Sequence, residues 1–358
     1  MVSRVAVTEA FWRDRRVLVT GHTGFKGSWL TLWLSAMGAE VTGLSDGMPT
    51  DPCLFELARV HEDVRTIRAD VRDAAAVRHA VTECRPEVVL HLAAQSLVRR
   101  SFQEPRETFA VNVMGTVNVL DAVRVVPGVH AVVNVTSDKC YENRDWEWAY
   151  REDEPMGGHD PYSSSKGASE LVTSAYRRSF FADPDGPRLA SARAGNVIGG
   201  GDWGADRLIP DIMRSALAGE TAQIRNPHAT RPWQHVLNPL SGYLVLAERL
   251  WTDPAAATGW NFGPAEDESR PVGWIAERLQ ALWPDVAWAA DPAEHPHEAH
   301  HLRVDSARAR ARLGWAPGWA LERALESIAE WYAALRAGQD MRDVTLAQLA
   351  AFGAEPSR

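Results

Sequence analysis

Cysteine is scarce in this chain: Cys53, Cys84 and Cys140 are the only three among 358 residues, and they lie far apart. An odd, scattered set forms neither a disulfide framework nor a zinc-ligand pattern, and it suits a reducing compartment. Long apolar runs are missing as well. Nothing approaches the ~20 apolar residues of a membrane span, and Met1 to Arg16 has no run of signal-peptide length. Positive charge is not in excess: 38 Lys and Arg face 47 Asp and Glu, a net charge of −9. That balance disfavours a general nucleic-acid or anionic-membrane binder but leaves room for a local basic pocket. Internal repeats and low-complexity tracts are absent too. The expectation is a soluble, cytoplasmic protein with no metal requirement.

What is present is a length that suggests two lobes, an ordinary composition of 45% hydrophobic and 24% charged residues, and fifteen tryptophans. Most of those tryptophans read as core anchors. The sequence alternates between short buried-type strands and helices. Arg16 to Thr20 runs into a Gly-rich turn, Gly21-His22-Thr23-Gly24-Phe25-Lys26-Gly27, followed by a helix from Ser28 to Met37 and a strand from Glu40 to Leu44. Strand, Gly turn, helix, strand is the context of a dinucleotide fingerprint: glycines admit the pyrophosphate to the backbone, and the helix N-terminus faces its charge. Further strands are expected at Val64–Ala69, Val88–Leu92, Ala131–Thr136 and Leu189–Arg193, with helices between them, including Phe109 to Val125.

Repeated strand–helix units predict an α/β fold: a Rossmann-type doubly wound parallel sheet with a smaller α/β substrate-binding lobe. The expected division is 12–193 plus 232–264 for the NAD-binding half and 194–231 plus 265–352 for the substrate lobe, with 1–11 and 353–358 as terminal extensions. Ligands sit beyond the C-terminal strand ends of such sheets. That places the Gly turn, Ala93-Ala94-Gln95 and Ser137-Asp138-Lys139 on one rim.

Tyr162 and Lys166, in Asp160-Pro-Tyr-Ser-Ser-Ser-Lys166, are four apart and share a helix face. An ammonium beside a phenol favours the phenolate, which makes Tyr162 a candidate general base. With a nucleotide-binding turn upstream, the chemistry is hydride transfer from an alcohol to a nicotinamide.

These segments, with Thr136–Tyr141, Glu154–Ser163, Arg193–Trp203 and Arg231–Val236, resemble the extended short-chain dehydrogenase/reductase superfamily in its nucleotide-sugar branch. The closer resemblance is to the CDP-glucose 4,6-dehydratases, and it runs from about Phe11 to Tyr332. It implies oxidation of the sugar at C4, elimination of water across C5 and C6, and return of the hydride to C6. By position, Tyr162 takes the C4 hydroxyl proton, Lys166 holds the phenolate and the nicotinamide ribose, Ser137 bonds the C4 oxygen, and Asp138 protonates the departing C6 hydroxyl. Lys139 stands where related dTDP-glucose dehydratases carry a glutamate; it is either a neutral base toward C5 or a charged stabiliser of the enolate.

For NAD, the resemblance adds the whole turn from Gly21 through His22, Thr23, Gly24, Phe25 and Lys26 to Gly27. His22 and Lys26 replace small or apolar residues, which implies looser cofactor binding. Asp46 is the acidic candidate for the adenosine ribose, with no arginine beside it in sequence, so NAD is favoured over NADP. Asp70 and Val71 approach adenine, and Ala93, Ala94 and Gln95 line the nicotinamide side. For CDP-glucose, the candidates are Ser137, Asn196, Arg207, Leu208, Arg231, Trp233 and Arg303; Trp203 and Trp233 either wall the base or pack. Four histidines in 295–301 read as a segment closing the substrate lobe rather than as metal ligands, because Pro296 interrupts any helical face. The rival readings are a 4-epimerase, a dehydratase of another nucleotide sugar, and a non-catalytic NAD-binding sensor. A homodimer through the helices near 109–125 and 162–178 is implied by the resemblance; Leu171, Val172, Ala175 and Tyr176 are its apolar set, though burial inside one chain gives the same pattern.

Overall fold

Runs such as Val-Val-Leu at 88–90 and Ala-Val-Val at 131–133 have no polar alternation, which suits strands covered on both faces. In the computed structural model, which describes residues 5–265, 268–293 and 302–354, they are the centre of a seven-stranded sheet. Its strands are β1 (Arg16–Thr20), β2 (Glu40–Ser45), β3 (Arg65–Arg68), β4 (Val88–His91), β5 (Ala131–Val135), β6 (Arg188–Arg193) and β7 (Gly259–Asn261). All neighbours are parallel, in the order β7-β6-β5-β4-β1-β2-β3. The order reverses between β1 and β4, so the crevice for a ligand opens at their C-terminal ends.

The helices that matter to the site are α1 (Phe25–Ala36), α2 (Ala74–Cys84), α3 (Gly115–Val125), α4 (Pro161–Ser179), α5 (Leu208–Ala218) and α6 (Leu237–Thr252). Helix α1 begins at Phe25, three residues before the apolar pattern suggests, so Lys26 and Gly27 lie inside its first turn. Helix α4 starts where Asp160 caps it: its carboxylate accepts from Ser163 N at 2.9 Å, and Pro161 takes the first helical position. Ahead of α3 the chain is already helical from Pro105, with one widened π-type turn at Ala110–Met114 that carries the buried Asn112.

After β6 the chain forms three two-stranded pieces: Val197–Ile198 with Gln234–His235, Thr230–Pro232 with Ser269–Pro271, and Thr221–Ile224 with Ala287–Ala290. It returns to the central sheet in α6 and β7. The last helix, Met341–Ala354, is one the sequence division assigns to the second lobe as far as 352. It packs on both parts: Phe352 meets Trp33 at 5.6 Å and Arg342 pairs with Asp63 in the first, while Trp331 Nε1 donates to Thr345 Oγ1 at 3.1 Å and Gln348 Nε2 to the Ser327 carbonyl at 2.7 Å in the second. One apolar core runs through both parts, and Trp12, Trp29, Trp260, Trp315, Trp319 and Trp331 are fully buried in it. No helix among the described residues is long and apolar enough to cross a membrane.

His22 turns inward. Its buried ring lies against Gly43 of β2, bonds Thr66 Oγ1 through Nε2 at 3.0 Å and meets Phe55 edge-on. A Cβ at Gly43 would stand 2.2 Å from the ring. Gly43→Ala is therefore expected to cost about 1–3 kcal/mol by overpacking and to lower Tm. Adding His22→Ala should restore part of that loss, and a double-mutant cycle in thermal unfolding checks the coupling.

Candidate active site

The turn after β1 is held by its glycines. Gly21 has φ +72°, and a Cβ there would come 2.8 Å from Ala93 Cα; one at Gly27 would come 2.1 Å from the Gly21 carbonyl. The first glycine makes the turn against the end of β4, and the last lets α1 close onto that turn. Thr23 fastens the far side, with Oγ1 2.7 Å from Ser45 Oγ and 2.6 Å from the Gly47 carbonyl. A turn with no side chain in its way, opening onto a twelve-residue helix, fits a pyrophosphate.

Across the rim, β5 ends in Thr136-Ser137-Asp138-Lys139. Ser137 and Asp138 are buried, and Ser137 Oγ donates to Asp138 Oδ1 at 2.9 Å and accepts from Lys139 N at 3.2 Å. The Tyr162 phenol lies near Ser137 and Asp138, both of which influence its titration. A Cβ at Gly195 would land 1.7 Å from Asp138 Oδ2, so the acid occupies space that only a glycine leaves open. Asn196 follows with φ +44°, a left-handed conformation that asparagine tolerates better than most residues.

Burial dominates the titration of this cluster. It pushes the Tyr162 phenol up to about 12; the Ser137 hydrogen bond and Arg207 oppose the rise, while Asp138 adds to it. Lys166 is driven down to about 8 by burial, against the pull of Cys140 and Glu170, and its ammonium donates to the Val135 carbonyl at 3.4 Å. Among the influences on the phenol, burial thus outweighs the groups that favour the phenolate, and positive charge brought close to it would act the other way.

Lys26 lies among these groups. Burial, Arg207 and Lys166 lower it to about 8, opposed by Asp138 and Asp202, and its ammonium is 6.0 Å from the Tyr243 ring. It thus projects into the catalytic pocket. Arg207, expected only as a nucleotide contact, reaches the same place: it pairs with Asp202 at 3.3 Å and donates to Ser96 Oγ at 3.0 Å, bridging the loop after β4 to the second lobe. Leu208 beside it opens α5 and is half-buried. Tyr243, fully buried on α6, places a hydroxyl with no hydrogen-bond partner near Tyr162 and Asp138. Nothing local in the sequence links it to the site.

Other candidates stand differently from their sequence expectation. The Gln95 side chain is spent on its own loop, bonding Thr108 Oγ1, the Leu97 carbonyl and Leu97 N. His22, as described, offers the crevice only its backbone. Asp46 is exposed, and Arg68 from β3 donates to its carbonyl at 3.3 Å, so a guanidinium does stand there in space. The Asp70 carboxylate is held below its usual range by Arg72, and Val71 packs under Gly115. Trp233 is buried with its indole N–H on the Arg270 carbonyl at 3.0 Å, which is packing. Arg231 and Arg303 are half-buried. The histidines at 295–301 lie outside the described residues, and no metal-type cluster occurs among those that are described.

A parallel nucleotide-crevice sheet with a Tyr–Lys helix and a Ser–Asp–Lys strand end defines an oxidoreductase-type scaffold. The model of the GDP-mannose 4,6 dehydratase family matches residues 18–328. The chain belongs to that family, and through it to the extended short-chain dehydrogenase/reductase superfamily. It is 52% identical over 341 residues to the CDP-glucose 4,6-dehydratase of Salmonella typhimurium, covering 94% of this chain and 95% of that protein. It is 30% identical to the UDP-glucose 4-epimerase of Mycolicibacterium smegmatis, covering 88% and 98%. In fold it matches the dTDP-glucose 4,6-dehydratase DesIV of Streptomyces venezuelae, solved with NAD, at TM-score 0.74 and 23% identity, covering 92% of this chain and all of that one. The UDP-glucose 4-epimerase of Thermotoga maritima matches at TM-score 0.77 and 20% identity, covering 89% and 99%.

The lowered lysines carry a pH signature in the cofactor-free protein. Lys26 holds its proton less well folded, at about 8, than unfolded, at 10.5. Below pH 8 it is charged in both states, and its burial penalty is felt in full; above 10.5 it is neutral in both, and the penalty is gone. Lys26→Met is therefore expected to raise Tm at pH 7, and the gain should shrink as pH rises from 8 to 10.5. Thermal unfolding across that range checks the sign.

Proposed function

We propose that this chain is a hydro-lyase that converts CDP-glucose to CDP-4-keto-6-deoxyglucose, its cofactor ending as it began. The observation that carries dehydration is Asp138: a buried carboxyl that accepts a hydrogen bond from Ser137 and lies near the Tyr162 phenol. A 4-epimerase returns hydride to C4 and has no use for an acid aimed at C6. The cytidine nucleotide is supported by the 52% identity to the Salmonella enzyme.

NAD fits the crevice because Gly21 and Gly27 keep it free of side chains. The turn 21–27, Asp46 and the Asp70–Val71 segment would hold it, with Ala93 and Ala94 on the nicotinamide side, where it would supply a hydride acceptor for C4 and a hydride donor for C6. Tyr162 takes the C4 hydroxyl proton while Ser137 holds the C4 oxygen. The ketone then acidifies C5–H, and Lys139 acts there as base or enolate stabiliser. Asp138 gives its proton to the C6 hydroxyl, which leaves as water while the C5–C6 double bond forms; hydride return to C6 with a proton from solvent at C5 completes the product. Lys166 keeps a positive charge under the phenolate and the nicotinamide ribose. Arg207 and Lys26 put positive charge where the diphosphate of the nucleotide sugar needs it; Asn196, Leu208, Arg231 and Arg303 complete the assigned substrate contacts.

A homodimer is part of the same reading. Leu171 on α4 is 62% exposed, alongside the exposed Phe102, Phe109 and Met114 of the neighbouring helices. Val172 and Tyr176 of the expected apolar set instead pack into the chain's own core. Single-sided apolar exposure of this kind on adjacent helices marks an interaction surface. A cytoplasmic location fits three free cysteines.

Incubation with NAD and CDP-glucose in deuterated water, beside dTDP-, GDP- and UDP-sugars, tests the reaction. The expected product has lost water and carries deuterium at C5, fastest from the CDP sugar; inversion at C4 without water loss would assign an epimerase. Tyr162→Phe should lower kcat by roughly 10²–10⁴-fold. Leu171→Arg should shift the protein toward monomer in sedimentation velocity; an unchanged dimer would place the interface elsewhere.

A further inference from the structure

Glu170 and Arg193 form a buried ion pair that the reaction itself does not use. Their side chains are 4% and 5% exposed, and the contact is bidentate: Arg193 Nε to Glu170 Oε1 and Arg193 Nη2 to Glu170 Oε2, both at 2.9 Å. The carboxylate accepts two more hydrogen bonds, from Thr136 Oγ1 at 2.5 Å and Ser191 Oγ at 2.6 Å. The remaining arm of the guanidinium donates to Tyr141 Oη at 2.6 Å and the Glu152 carbonyl at 3.0 Å. The Tyr141 hydroxyl in turn donates to Asn261 Oδ1 on β7 at 2.7 Å. Every polar atom of the pair has a partner.

The topology gives this cluster its meaning. Tyr162, Lys166 and Glu170 are spaced at i, i+4 and i+8 along α4, on one face. Thr136 is the residue immediately before Ser137 and Asp138. Arg193 ends β6, two residues before the Gly195 whose missing side chain makes room for Asp138. Tyr141 closes the short helical turn Asp138–Cys140. A single carboxylate thus joins the helix with the phenol, the strand end with the acid, and the strand that leads to Asn196. Stability alone is a poor reason for the arrangement, because desolvation of both charges offsets most of their attraction, and apolar residues of similar volume do as well.

We propose that Glu170 is a positioning residue whose carboxylate clamps the Thr136-Ser137-Asp138 strand end to the face of α4 that carries Tyr162 and Lys166. The clamp sets the placement of Ser137 and Asp138 relative to Tyr162, and it acts through Thr136. Neither Glu170 nor Thr136 touches substrate.

The cluster supplies its own control. Thr136→Val and Ser191→Ala each remove one hydroxyl donor from the same buried carboxylate, but only Thr136 adjoins catalytic side chains. The expected result with CDP-glucose is a fall in kcat of about ten-fold or more for Thr136→Val, the scale on which small misplacements act, with KM within two-fold. Ser191→Ala should keep kcat within two-fold while losing a similar amount of Tm. Thr136→Ser, which keeps the hydroxyl, should recover most of the rate. Equal losses in kcat for the two variants, or none for Thr136→Val, would overturn the clamp.

The kinetic arm rests on the dehydration reading, and absence of turnover in the unaltered enzyme would count against that reading instead. Crystal structures of the unaltered and Thr136→Val proteins need no turnover. Ser137 and Asp138 displaced relative to Tyr162 support the inference; an unmoved pair sinks it.

Discussion

Charge held away from water is the condition that the rim of this sheet has to meet. Lys166 and Lys26 are both driven well below the ordinary lysine range by burial, and the charge on Lys166 lowers Lys26 further. The scaffold makes this tolerable in a specific way. A parallel sheet covered on both faces delivers its strand ends into a crevice lined by backbone N–H and C=O groups rather than by bulk solvent. Lys166 accordingly rests on a main-chain carbonyl, that of Val135. The helix terminus at Phe25 and the two glycines provide the opposite polarity on the facing wall. Catalytic charge and cofactor cradle are therefore consequences of one architectural feature, the ends of β1, β4 and β5 meeting at the point where strand order reverses.

The same condition sets the phenol. Burial pushes Tyr162 up to about 12; Ser137 and Arg207 pull it down, yet burial and Asp138 outweigh them. The rim therefore answers to charge: a cation brought beside Tyr162 favours the phenolate, and an anion there opposes it.

Sequence carried the scaffold well because its signals are local. Strand runs, the Gly turn and the Asp160-Pro161 cap depend on neighbours within a few residues, and six of the seven sheet strands were found within about two residues of their ends. The seventh, β7, is three residues long with no pattern of its own. The site was legible where chemistry coincides with helix spacing, as in Tyr162 and Lys166. It was opaque where partners come from distant strands: Arg68 at the Asp46 carbonyl, Arg207 on Ser96, Glu170 on Thr136 and Arg193. His22 and Lys26 show the limit most plainly. Both lie in one seven-residue turn, yet one ring fills a hole left by Gly43 while the other chain swings into the pocket. Only the space left by residues remote in sequence decides between those outcomes.

Arg207 and Asp202 raise a last point about how the two parts of the chain work together. Asp202 is buried, its carboxylate accepts from Gly204 N, and its carbonyl accepts from the Tyr332 hydroxyl. It is thus fixed in the second lobe, and it holds the guanidinium that also reaches Ser96 on the first. Lys26, Lys166 and Arg207 crowd Asp138 and Asp202 in this space, and Arg207 and Lys166 both act against the charge on Lys26. A dianionic diphosphate would relieve that repulsion while engaging cations from both parts at once. The placement of arginine rather than lysine at 207 suits this role, because a planar fork can hold a carboxylate and a phosphate oxygen together without giving up its proton to burial.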